Sequence, residues 1–299
     1  MSSRERMPTR VISARSKTSH RVGDIWRYRE LLVGLVRKEL KVKYKNSLLG
    51  FLWSMLNPLL YLVIFTIVFQ VFLRNGLPRF PIYLLSGLLA WNLFANSLMA
   101  ATTSITGNGS IVKKVHFPRE ILPLAAVGAG LVHFFLQAFV LLVSLAAFRH
   151  GVAPSYLLLA IPALVVLLVL LAAMAIALSA INVYLRDTQH LLELILLAWF
   201  WLTPIVYPYR LVADRLSERG QLWLLFLNPM TSVVLVFQRG IYNILEHESG
   251  GTVINILPEG VSITWYAWHL AAVGAVSVVL LFGALRLFSR LEGDFAEEL

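Results

Sequence analysis

Residues 156–185 read YLLLAIPALVVLLVLLAAMAIALSAINVYL, thirty positions without one Asp, Glu, Lys, Arg or His. About 20 such residues are enough for a helix to cross the hydrocarbon of a bilayer, at ~1.5 Å of rise per residue. Outward from this stretch, further apolar runs at 50–73, 82–101, 121–148, 191–207 and 261–288 are each near or above that length. The chain is 58% hydrophobic and only 14% charged, with a mean hydropathy of +0.74. A water-soluble core of this size would leave too little polar surface to be wetted, so lipid serves as the solvent. The runs are continuous rather than alternating, which fits helices whose backbone hydrogen bonds are all internal and excludes barrel strands. The expected fold class is an all-α integral membrane protein with six transmembrane helices.

The basic residues orient these spans. With the amino terminus in the cytoplasm, the inner segments hold thirteen Lys and Arg before Gly50, then Lys113, Lys114, Arg119, Arg186, Arg286 and Arg290. The outer segments hold Arg74, Arg79, Arg149, Arg210, Arg215, Arg219 and Arg239, so the balance is nineteen against seven. The positive-inside rule then predicts both termini in the cytoplasm. The net charge of +10 reports topology and contact with anionic headgroups, and a nucleic-acid partner is not expected because the excess sits beside the first span. About fifty polar and basic residues precede the first apolar run, so no cleaved signal peptide is expected and the first span directs insertion. Cysteine is absent, which excludes disulfides, thiolate chemistry and Cys-ligated metals.

Three regions are expected along the chain. Residues 1–23 are rich in Ser, Arg and Thr without apolar periodicity and read as a disordered basic arm. Residues 24–46 place Ile25, Tyr28, Leu32, Leu35, Val36 and Leu40 at helical spacing opposite Arg27, Arg37, Lys38, Lys41 and Lys45. This predicts an amphipathic helix in the membrane interface, capped by Asp24, or else a solvated basic helix packed on a partner. Residues 47–299 form the membrane domain. Within its outer region, 208–260, the apolar stretch 222–237 is split by Asn228 and Pro229 into halves too short to span. A re-entrant or interfacial helical pair on the outer side is expected there. The pairs Ala126 and Gly130, Ala173 and Ala177, and Ala271 and Ala275 have the small-xxx-small spacing of closely packed helices, within one subunit or between two.

Chemistry-bearing motifs are few. No GxxxxGK[ST] loop is present to cradle nucleotide phosphates, so ATP-driven work requires a second subunit. The seven His are scattered without metal-ligand spacing, and the apolar runs lack paired carboxylates. Within the spans, ionisable groups are nearly limited to His133 and Glu193, which argues against ion-coupled transport, since each intramembrane charge costs ~2.5–3.5 kcal/mol or more. His133 reads as a neutral, hydrogen-bonded interior residue, and Glu193 as a partner at the membrane boundary. The aromatics Trp91, Phe94, Trp199, Phe200, Trp201, Tyr207 and Tyr209 form either an interfacial belt or the wall of a pathway whose rings slide along sugar C–H surfaces. On the inner side, residues 104–122, SITGNGSIVKKVHFPREIL, are too elaborate for a simple turn. They predict a short helix that presents apolar and basic groups to a cytosolic partner, the alternative being a solvated loop at the headgroups.

Four segments together resemble the permease subunits of type-two ABC exporters of the polysaccharide and polyol-phosphate export family. They are KYKNSLLGFLWSMLNPLL (43–60), IVKKVHFPREILPL (111–124), NVYLRDTQH (182–190) and LNPMT (227–231), in this order among six spans. The resemblance implies a homodimer joined to two ATP-binding subunits in a bacterial inner membrane, exporting a lipid-linked glycan or teichoic-type polymer. It implies no cofactor on this chain, with ATP and Mg held by the partner. The coupling segment would comprise Asn108, Gly109, Ser110, Ile111, Val112, Lys113, Lys114, His116, Phe117, Pro118, Arg119 and Glu120. Tyr184, Arg186 and Asp187 would lie near the cytoplasmic gate, and residues 209–240 would form outer gate helices. Two rivals remain open on the sequence: a membrane-embedded enzyme acting on polyprenyl-linked sugars, for which Glu193, His133 and Asp187 must converge, and an ABC exporter of drugs or simple lipids.

Overall fold

The computed structural model describes residues 23, 26–45, 52–72, 77–249 and 252–299, and these are helical nearly throughout. The predicted basic arm apart from Gly23, the predicted cap Asp24, and residues 46–51 of the first quoted segment lie outside the described residues. The helices are α1 (Arg29–Tyr44), α2 (Leu52–Thr66, continued by a π-helical stretch Ile67–Phe72), α3 (Phe80–Thr102), α4 (Gly109–Lys114), α5 (Ile121–Ala147) and α6 (Pro154–Leu158). After them come α7 (Ala160–Tyr184), α8 (Thr188–Leu202), α9 (Tyr209–Glu218), α10 (Trp223–Leu227), α11 (Pro229–Ile241), α12 (Ile263–Leu291) and the short α13 (Phe295–Glu298). An antiparallel hairpin of β1 (Glu246–Ser249) and β2 (Thr252–Asn255), which the all-α expectation did not include, lies between α11 and α12.

Among the described residues, four helical stretches are long and apolar enough to cross a membrane: Phe80–Thr102, Ile121–Ala147, Pro154–Tyr184 and Ile263–Asp294. They correspond to the second, third, fourth and sixth predicted spans. The first and fifth correspond to α2 and α8, each a 15-residue α-helix. Helix α8 stops short of the apolar run that encodes it because Thr203, preceding Pro204, takes an extended conformation (φ −104°, ψ 132°).

Helix α3 is the centre of the bundle, with α5, α7, α8 and α11 packed around it. Its glycine and small residues make this possible. A Cβ on Gly87 would stand 3.1 Å from Gln238 Nε2 and 3.2 Å from Ile205 Cγ2, so α3 meets α11 and the 203–208 segment at van der Waals limit. On its other side, a Cβ on Gly130 of α5 would fall 1.9 Å from Ser97 Oγ. The Ala126–Gly130 pair thus serves packing within one chain, whereas Ala271 and Ala275 face outward. Helices α7 and α12 pair along most of their length, with Gly274 against Val166.

Helix α11 is the most unusual element. Its 13 residues reach only ~20 Å, yet every side chain from Met230 to Gln238 is buried, between α3, α6, α7 and α12. The predicted break at Asn228 and Pro229 is present, with α10 before it and α11 after. The helix continues past Phe237 because Gln238 is taken into the core, its Nε2 donating to Pro204 O at 3.0 Å.

Helix α1 runs along α5. Leu35 is buried and Leu32, Val36 and Leu40 half-buried, as the periodicity predicted, while Tyr28 is exposed. A Cβ on Gly128 would meet Val36 Cγ2 at 2.8 Å, so any larger residue there would force Val36 or α1 to shift. Further along, Lys43 Nζ lies 3.3 Å from His133 Nε2, and partial burial pushes the Lys43 ammonium below its ordinary range.

Candidate functional site

The predicted coupling segment forms one compact unit between α3 and α5. Ser104 Oγ donates to Ala101 O (2.7 Å), Thr106 Oγ1 to Thr103 O (3.0 Å) and Asn108 Nδ2 to Ser104 O (2.8 Å), closing a turn into a 3-10 stretch Thr106–Asn108 and then α4. Lys38 of α1 donates to Asn108 Oδ1 at 2.6 Å, so the amphipathic helix is tied to the same unit. A six-residue helix is too short to be stable alone and must be held by packing. Val112 (3% exposed) and Phe117 (8%) supply that packing, inserted beside Leu35, Ile105, Ile121 and Phe288.

What this anchoring leaves outside is Ser110, Lys113, Lys114, Val115 and His116. Val115 takes an extended conformation and carries its side chain 54% exposed. The surface is therefore basic with an apolar centre. The twelve predicted residues divide into the exposed Ser110, Lys113, Lys114 and His116, the buried Val112, Phe117 and Glu120, and the half-buried Asn108, Gly109, Ile111, Pro118 and Arg119, while the exposed Val115 lies outside the predicted set. Arg119 reaches across to residues after α12: it donates to Glu292 O and its guanidinium lies 5.8 Å from the Phe295 ring centre.

The predicted gate residues occupy the turn between α7 and α8, closed by Thr188 Oγ1 donating to Leu185 O at 2.6 Å. Arg186 and Asp187 are exposed, while Tyr184 OH donates to Leu291 O at 2.6 Å. The α7–α8 turn and the predicted coupling segment thus bond to adjacent carbonyls at the end of α12, Leu291 O and Glu292 O.

The predicted aromatics assemble between α3 and α8. Ring centres are 5.8 Å apart for Trp91 and Phe94, 5.6 Å for Trp91 and Phe200, 5.0 Å for Phe94 and Trp199, and 5.5 Å for Phe200 and Trp201. Trp91 and Phe94 are buried within the chain's own core; Trp199, Phe200 and Tyr207 are half-buried and Trp201 is exposed. Tyr207 OH donates to Trp201 O at 2.8 Å, and Tyr209, buried beside Asp214, has its phenol pushed up to about 12 by desolvation first and that carboxylate second.

Sequence reasoning missed the groups that hold this region together. Asn228 Oδ1 accepts from Met230 N (3.0 Å) and Trp199 Nε1 (2.7 Å), and Asn228 Nδ2 donates to Thr203 Oγ1 (2.9 Å). Asn followed by Pro ahead of an apolar run is a helix-start signal, so the cap was readable although the cross-links were not. On the far side, Arg79 donates to His150 Nδ1 (2.7 Å), which places the imidazole proton on Nε2, where it is donated to Tyr242 O (2.7 Å). This ties the start of α3 to the α5–α6 corner and the end of α11.

The triad that an enzyme requires does not converge. His133 is beside Lys43, whereas Asp187 and Glu193 are exposed on the α7–α8 turn and on α8, and neither carboxylate bonds to His133. Among the described residues no group of three His, Asp or Glu could hold a metal ion.

The family described as ABC-2 type transporter matches residues 30–242 of this chain. The chain is also 35% identical over 279 residues to a Myxococcus xanthus protein named O-antigen export system permease protein RfbA, covering 93% of this chain and 98% of that one. Two Klebsiella pneumoniae proteins of the same name are 30% identical over 274 residues (90% and 94% covered) and 33% identical over 220 (72% and 82%).

Proposed function

The chain belongs to the ABC-2 type transporter family, and on that premise we propose that it is the permease subunit of an exporter that moves a lipid-linked polysaccharide from the cytoplasmic side across a bacterial inner membrane. The observation that carries this is likeness along nearly the whole chain to permeases named for O-antigen export. The functional unit is two copies of this chain and two ATP-binding subunits, which supply ATP and Mg. The chain crosses the membrane six times, with α2 and α8 as first and fifth spans, α10 and α11 re-entrant from the outside, and both termini in the cytoplasm. Residues 1–23, 24–46 and 47–299 act as basic arm, interface helix and permease domain, with 208–260 as the outer gate region.

The exposed face of α4 and its flank, Ser110, Lys113, Lys114, Val115 and His116, seats in a groove of the ATP-binding subunit. Val112 and Phe117, sunk in the core, turn movement of that face into movement of α3 and α5. Exposed apolar side chains on α2 (Leu59, Leu60, Val63, Ile64) and α8 (Leu194, Ile195, Leu197, Trp201) suit a seam between copies through which the substrate passes. Glu193 supports that assignment for α8: it shares this face, and a carboxylate turned to lipid would cost about 2.5 kcal/mol or more, a penalty that water or protein removes. Trp201, Tyr207 and the half-exposed edges of Trp199 and Phe200 line the pathway, with Trp91 and Phe94 as rigid backing. The permease contributes shape and a low-friction surface, not covalent chemistry.

The test is co-expression with a cognate ATP-binding subunit, purification through a tag on this chain, and measurement of subunit stoichiometry and nucleotide hydrolysis. A stoichiometric complex that hydrolyses ATP, and whose turnover responds to lipid-linked polysaccharide, is the expected result. A stable permease that retains no partner sinks the proposal.

A further inference from the structure

The residues after α12 carry a contact that the exporter reading does not use. The segment 292–299 turns back under the bundle instead of leaving it, and its one aromatic side chain, Phe295, is fully buried in an otherwise acidic and exposed stretch (Asp294, Glu297, Glu298). Phe295 packs edge-on against Phe288 at 5.4 Å, lies 6.1 Å from the ring of Tyr184, and lies under the Arg119 guanidinium. Two successive backbone carbonyls where α12 runs into this segment accept bonds from both functional segments: Leu291 O, at the end of α12, from Tyr184 OH, and Glu292 O, the first of the segment, from Arg119. At its far end Leu299 touches α4, where a Cβ on Gly109 would stand 3.7 Å from Leu299 Cβ.

From this geometry we infer that residues 292–299 are a coupling strut, with Phe295 as its positioning residue, moving as one body with α4 and transmitting its displacement to the α7–α8 turn. The inference rests on the proposed roles of α4 as coupling helix and of Tyr184, Arg186 and Asp187 as gate. The physical reason is connectivity. Helix α4 and the gate turn are joined by a chain of close-packed side chains and short hydrogen bonds through this segment, and close-packed groups pass on displacement instead of absorbing it. A cluster bound only at one end would seal the core without linking the two.

The test uses the permease assembled with its ATP-binding subunit in proteoliposomes. Phe295→Ala should leave subunit stoichiometry and basal hydrolysis unchanged while export falls by about tenfold, the scale of a typical coupling between sites, and Phe295→Leu should restore part of it. A second measurement does not depend on how well the alanine variant folds. The chain has no cysteine, so Gly109→Cys with Leu299→Cys gives one defined pair at a Cβ separation suited to a disulfide. Oxidised, this pair should export as well as its reduced form, because the strut and α4 do not part during the cycle. Inhibition on oxidation that reductant reverses would overturn the inference, as would wild-type export by Phe295→Ala or loss of the ATP-binding subunit in that variant. Failure of the wild-type chain to retain that subunit sinks the exporter reading itself, and is seen before either variant is measured.

Discussion

Replacing Asn228 tests whether the α8–α11 junction is one hydrogen-bonded unit or merely a capped helix. In Asn228→Ala, the Met230 N–H loses its cap, which costs ~1 kcal/mol, and the Trp199 indole N–H loses its acceptor at 2.7 Å. A buried donor left unpaired costs ~1–3 kcal/mol; since this one is half-exposed, the lower part of that range applies, giving a total of about 2–3 kcal/mol. Asn228→Asp separates the terms. Asp is as good a helix cap as Asn and keeps the acceptor for Met230 and Trp199, but it turns an oxygen instead of an N–H toward Thr203 Oγ1, 2.9 Å away. The Thr203 hydroxyl is already committed to Trp199 O at 2.9 Å, so it can serve the aspartate only by giving up that bond. A loss of about 1–2 kcal/mol is expected. Thermal denaturation in detergent, followed by the fraction remaining monodisperse, should place wild type above Asp and Asp above Ala, roughly 2–4 °C apart per kcal/mol. An aspartate variant as stable as wild type would refute the cross-link and reduce Asn228 to a cap.

The remaining predictions address other links. Lys113→Glu combined with Lys114→Glu should leave the protein inserted and folded, because both side chains are exposed, yet abolish substrate-stimulated ATP hydrolysis and export; unchanged values count against the coupling assignment. Ile111→Pro should uncouple through the backbone of α4, because the ring removes the N–H of residue 111 and crowds the turn before it, with the ATP-binding subunit lost or inactive in the same assays. Gly130→Ala should destabilise by about 1–2 kcal/mol through its clash with Ser97, and Ser97→Ala should recover much of this in the double variant, a coupling that a thermal-melt cycle measures directly. Reporter fusions at the carboxyl end and in the 104–120 segment should both report the cytoplasm, whereas fusions within 208–220 should report the outside; a carboxyl end outside would rule out six crossings.

Much of this protein was legible in one dimension. Continuous apolar runs depend on how each residue partitions between water and lipid, and that is a property of composition along the chain. The Asn228–Pro229 break and the amphipathic face of α1 are likewise local, set by backbone sterics and helical period. What no run or period contains is which surfaces meet. That α11, too short to span, is nevertheless buried beside α3 follows from Gln238 finding Pro204 O and from Gly87 leaving room. That Trp91 and Phe94 back the other rings instead of facing outward follows from α8 crossing α3 there. That Phe295, distant in sequence from both, touches Arg119 and Tyr184 was decided only when the ends of α3, α7 and α12 were brought to one side of the bundle. Partitioning and propensity are sums over neighbours in sequence, whereas these contacts are made between residues far apart in the chain, and only packing selects them.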